Sequence, residues 1–148
     1  MGLKNLMGQG PNFVGAYQLS GVPYVTSSAT DEVTSSGVGI SFPNVTRWVE
    51  VRNIGHKDLR IGFTLNGVLG RGASVSGSQA RADEATHSNY FVLQAMSGST
   101  ARWEARCTQM WFATATGASA FSVAAGLTGV LPRQYPILTG SNGFVGVG

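Results

Sequence analysis

The sequence predicts an all-β fold: a single antiparallel β-sandwich, jelly-roll-like, preceded by an extended N-terminal arm. Three observations lead there. Several segments alternate apolar and polar residues with a period of two, as half-buried strands require. Amphipathic helical spacing is absent, and Gly or Pro interrupts most windows that might carry it. Turn-forming residues recur at short intervals and divide the chain into roughly seven to nine strand-length pieces without a fixed repeat. With 148 residues and 43% hydrophobic content, the chain has the size of one domain and enough apolar surface to bury a core. We divide it into an arm at residues 1–13 and a sandwich domain at 14–148.

Taken in order, residues 1–12 contain three glycines and a proline with no sustained period, hence the arm. Residues 22–28 form a β-rich run. In residues 45–53, Val45, Val49 and Val51 fall on one face and Thr46, Trp48, Glu50 and Arg52 on the other. Leu59, Ile61, Phe63 and Leu65 line one face of the next strand, opposite Arg60, Thr64 and Asn66. The connection at 54–58 has hairpin length and a glycine, and Asn66-Gly67 marks a turn. Residues 78–86 (SQARADEAT) are the best helix former but too short to stand alone. Strands follow at 89–96, at 101–113 as the longest, and at 120–125. Two prolines make 130–138 an edge or irregular piece, before a glycine-rich tail that either pairs with a neighbour or tucks under its own sheet.

The stock for catalysis is thin: two histidines, one cysteine and seven carboxylates. Residues 83–87 (DEATH) have metal-ligand residue types, but their spacing matches no zinc motif that would supply four ligands. His56-Lys57-Asp58 reads as turn chemistry, where an aspartate bonds nearby backbone amides. The glycines at 67–77 lack the Gly-Lys-Ser/Thr ending of a phosphate loop. Cys107 is expected in mid-strand, buried and inert, with no helix N-terminus to lower its pKa. We therefore expect no enzyme activity, no catalytic residues, no cofactor and no metal.

Charged residues are only 11% of the chain, against roughly 25% in soluble domains generally. Much of the surface is then expected to be covered by other protein copies. Net charge is +3, Lys4 and Lys57 are the only lysines, and the arginines are scattered, so the basic patch of a nucleic-acid binder is missing. No apolar run reaches the ~18–20 residues that span a bilayer, which gives no expectation of a membrane partner. Leu3, Leu6, Met7 and Phe13 of the arm are candidate contact residues, because no helical period buries them locally. Arg102, Glu104 and Arg106 form a charge-paired row at period two, suited to a sheet surface or subunit contact. Trp48, beside Glu50 and Arg52, is expected on an interfacial face; Trp103 and Trp111 are expected to share an inner face with Cys107 and interleaved alanines, leaving Met110 and Phe112 outside.

Several segments together resemble small virion structural proteins of tailed phages and large aquatic viruses. They are residues 47–53 (RWVEVRN), 58–64 (DLRIGFT), 89–93 (NYFVL), 102–107 (RWEARC) and 138–144 (LTGSNGF), within a similarity running from about Val22 to the C-terminus. The resemblance implies a minor capsid, decoration (cement) or vertex protein of a virion, or the base of a fibre. Its partners would be copies of itself and the major capsid protein. The alternative is a carbohydrate- or receptor-binding module of a virion fibre, with a surface glycan held by Trp48 and loop residues around Arg71 to His87.

Overall fold

The computed structural model describes residues 22–70, 89–95, 99–139, 142–144 and 146–147. The candidate arm residues Leu3, Leu6, Met7 and Phe13 lie outside them, as do the DEATH segment and the loop from Arg71 to His87. Eight strands are present among the described residues: β1 (Val22–Ser27), β2 (Val38–Ser41), β3 (Thr46–Asn53), β4 (Leu59–Gly62), β5 (Phe91–Leu93), β6 (Thr100–Trp103), β7 (Gln109–Ala113) and β8 (Phe121–Leu127). They are accompanied by a five-residue helix α1 (Leu65–Leu69) and a 3-10 turn (Pro132–Gln134).

All pairings are antiparallel, and the strands form two sheets, ordered β1-β8-β3-β6 and β2-β7-β4-β5. The two halves of the chain run against each other rung by rung. Val22 stands opposite Leu127, Val38 opposite Phe112, Val49 opposite Trp103, and Leu59 opposite Leu93. This is one long hairpin that changes sheet between successive strands. Rolling it up adds the inner pairs β3-β8 and β4-β7.

The sheets face each other across an apolar core whose side chains come from alternate positions: Val49 and Val51, Leu59 and Ile61, Met110 and Phe112, and Phe121, Val123 and Ala125. Three aromatic pairs bridge the layers. Tyr24 meets Phe42 edge-on beside β1 and β2 (5.3 Å), Phe112 stacks on Phe121 in the centre (4.0 Å), and Phe91 meets Trp103 edge-on between β5 and β6 (5.6 Å). The predicted all-β sandwich is present.

Several local expectations are corrected. The 101–113 segment is not one strand. It crosses from β6 in one sheet to β7 in the other, and Cys107 lies in the crossing rather than in mid-strand. As a result Met110 and Phe112 point into the core, whereas Trp111 lies on the outer face. The 54–58 connection is no hairpin, because β3 and β4 belong to different sheets. Past Gly62 the chain leaves β4 and makes α1, with Thr64 as N-cap accepting from the Gly67 N–H (2.9 Å) and Gly70 closing it at φ 73°. Leu65 is therefore helical.

The strand face expected for Val45 and Thr46 is also reversed. Thr46 and Trp48 oppose consecutive residues of β8, Leu127 and Gly126, so β3 carries a bulge at Arg47. The bulge turns Thr46 inward to full burial and sends Val45 into a separate small cluster with Val130 and Tyr135.

Candidate functional site

Two surfaces concentrate chemistry-bearing side chains. The first is the outer face of the β1-β8-β3-β6 sheet. Its middle rung reads Val25, Ala124, Glu50, Arg102 across the four strands, and the rung above begins Pro23, Gly126, Trp48. Arg102 is the hub: its guanidinium lies 4.2 Å above the Trp48 ring, 3.2 Å from Glu104 and 3.9 Å from Glu50. These exposed ion pairs add little stability, since solvent screens them. On its other side Trp48 lies across Gly126, where a Cβ would come within 2.3 Å of Nε1. Trp111 repeats the arrangement on the second sheet, lying over Gly39 of the neighbouring strand.

The sequence set Trp48 beside Glu50 and Arg52 and read Arg102, Glu104 and Arg106 as a separate row; the pairing of β3 with β6 brings Trp48, Glu50, Arg102 and Glu104 together. Arg106 is also exposed, beyond the end of β6. With Arg102 above it and Gly126 below, Trp48 has neither ring face open for stacking a sugar.

The second surface is a cleft of about 270 Å³ at the open edge of the sandwich, where β5 and β6 end their sheets. Ile61, Phe63, Phe91, Trp103 and Met110 supply apolar walls, and Asn89 and Tyr90 supply polar ones. Gly62 and Gly67 allow the Asn89 backbone to approach closely, because a Cβ at either would stand 3.1 Å or less from the Asn89 carbonyl. The Asn89 amide nitrogen is buried without a hydrogen-bond partner among the described residues. Arg60 caps Tyr90 at 4.5 Å. The tail closes the neighbouring rim: Gly146 lines the cleft, and the Thr64 hydroxyl donates to the Val147 carbonyl. The tail thus contacts its own domain. Sequence reasoning missed this cleft. Its only marker was the inward parity of Trp103.

Cys107 is fully buried, with the Thr46 hydroxyl 3.3 Å from Sγ and also accepting from the Cys107 N–H (3.0 Å). Burial pushes the thiol up from 9.0 to about 11, partly offset by the Thr46 contact. A raised folded pKa leaves stability intact below about 9. Stability is lost as pH rises from there toward 11, because the unfolded thiol ionises first. We expect a thiol reagent at pH 8 to label Cys107 only after denaturant is added. Labelling at the rate of a free thiol in the native protein would refute that burial.

Among the described residues, no group of three His, Cys, Asp or Glu side chains could hold a metal ion, and no helix is long and apolar enough to cross a membrane. Comparison with family models, curated proteins and solved structures finds no match to this chain.

Proposed function

We propose that this protein is a virus-particle structural component, a minor capsid, decoration or vertex protein. It acts by packing against copies of itself and against the major shell protein, with no enzymatic step. The observation that carries this proposal is apolar exposure on edge strands. Val22 and Val25 on β1 are 64% and 77% exposed, and Phe91 and Val92 on β5 are 53% and 42% exposed. Edge strands present unpaired backbone groups, and isolated proteins normally protect them with charge, proline or cover; Pro23 removes one donor from β1, and the rest of that strand is without a charge. Apolar side chains beside such an edge favour strand addition by a neighbour, which agrees with a chain only 11% charged.

The strand order supports the same proposal. We read a hairpin with β1 to β4 pairing against β8 to β5, rolled into facing sheets, as jelly-roll wrapping, an architecture used by capsid and lectin domains. The Trp48–Arg102 cluster supplies the residue types that dominate binding energy at protein interfaces.

Light scattering across a concentration series, together with co-sedimentation on virus particles, tests this. The full chain should form a discrete oligomer and bind particles, and removal of residues 1–12 should weaken both. Val25→Lys, which puts a charge on the β1 edge, should shift assembly toward monomer without changing the circular dichroism spectrum. A full chain that remains monomeric at high micromolar concentration and does not bind particles would overturn the proposal.

A further inference from the structure

We infer that Asn142 is a site of spontaneous deamidation, which loosens the C-terminal segment as the protein ages, and that the fold protects Asn66 from the same reaction. Asparagine precedes glycine twice, at Asn66-Gly67 and Asn142-Gly143. A following glycine favours the reaction, because its backbone turns freely and no Cβ hinders approach of its nitrogen to the asparagine side chain. The Gly143 nitrogen attacks Asn142 Cγ: the N–Cγ bond forms, the Cγ–Nδ2 bond breaks, and ammonia leaves with the proton of the Gly143 N–H. Water then opens the cyclic imide, adding its hydroxyl to either carbonyl carbon and returning a proton to the nitrogen. The products are aspartate and its β-linked isomer.

The two sites differ in how firmly the reacting peptide is held. Asn66-Gly67 lies in α1, and its peptide is tied at both ends. The Gly67 N–H donates to the Thr64 hydroxyl at 2.9 Å, and the Asn66 carbonyl accepts from the Gly70 N–H. Gly67 is also buried, and a Cβ there would stand 2.7 Å from the Val147 carbonyl and 2.8 Å from that of Asn89, so it has no room to swing toward Asn66 Cγ. Asn142 and Gly143 are both exposed, Gly143 takes φ 88°, and no atom of the described residues would lie within 4 Å of a Cβ added there. The Asn142 side-chain nitrogen donates to the Ile137 carbonyl at 3.0 Å, an exposed bond that water readily replaces. Deamidation removes that donor and sets a carboxylate against the Ile137 carbonyl, which unties the segment.

Incubation of the full chain at mildly alkaline pH and physiological temperature, followed by digestion in acid and peptide mass mapping, tests the inference. A parallel sample in guanidinium supplies the unfolded reference. The native protein should convert Asn142 on the order of tenfold faster than Asn66, the ratio for freeing the Asn66-Gly67 peptide from two hydrogen bonds, and the two should react at similar rates in guanidinium. Asn142→Gln, whose longer side chain closes its ring more slowly, should remove the early acidic species on ion exchange and leave the circular dichroism spectrum unchanged. The converted protein should show faster hydrogen exchange at the Phe144 N–H, which donates to the Thr139 carbonyl at 3.2 Å across the modified residue. Equal native rates at the two sites would overturn the inference, as would an Asn142 that stays intact after both asparagines have reacted in the unfolded chain. Unchanged exchange at Phe144 would overturn the loosening of the segment.

Discussion

Replacing Phe112 with alanine should destabilise the domain by about 3–5 kcal/mol, the usual range for emptying a buried aromatic site. Phe112 is fully buried on β7, an inner strand of its sheet, and its ring stacks on Phe121 of the facing sheet at 4.0 Å. The void left behind would separate the layers at their centre, where backbone from four strands limits collapse. Urea denaturation should show a lower midpoint with an unchanged slope, and the melting temperature should fall by about 10 °C. Phe91→Ala provides the contrast. Phe91 sits at the exposed end of another interlayer aromatic pair, so its removal should lower stability by no more than about 1 kcal/mol. Equal losses for the two variants would contradict the placement of Phe112 in the core.

Asn53→Ala should cost about 3 kcal/mol even though it removes only a polar side chain. Asn53 is fully buried at the end of β3 and joins the point where the chain changes sheet. Its amide nitrogen stands 2.9, 3.0 and 3.1 Å from the carbonyls of Lys57, Leu93 and Gln94. Its oxygen accepts from the Gly55 N–H at 3.0 Å and the Ser119 hydroxyl at 3.1 Å. Truncation takes this partner from the buried Leu93 carbonyl and the Gly55 N–H, while the Ser119 hydroxyl and the Lys57 carbonyl, 3.0 Å apart, can still pair; the penalty comes from that loss of partners rather than from lost area. Asn53→Asp keeps the shape but turns a carboxylate toward three carbonyls, so it should be at least as damaging. A drop in melting temperature of less than about 2 °C for both variants would show that the polar cluster contributes little.

Alternation made the β3 and β4 faces legible, because period-two burial depends only on local backbone geometry. The same alternation concealed the break between β6 and β7. Exposed Arg102, Glu104 and Arg106 alternate with half-buried Trp103 and Ala105 straight through the crossing, and no glycine or proline marks it. A strand and an extended crossover share one local conformation, so only pairing partners distinguish them. The bulge at Arg47 was hidden for the same reason: it exists only relative to Leu127 and Gly126 on β8. The helix at Leu65–Leu69 was missed because its apolar residues continue the β4 pattern, although the Thr64 cap and the glycine at position 70 were available as signals.

By itself, the sequence determined the all-β class, the alternation along β3 and β4, and the burial of Cys107. Those properties follow from composition and local periodicity. Tertiary structure alone decided which strands share a sheet, which way Trp111 and Met110 face, and that Asn89, Phe91 and Trp103 meet at one open edge. Each depends on contacts between residues distant in the chain, and antiparallel pairing places no mark on either partner that identifies the other.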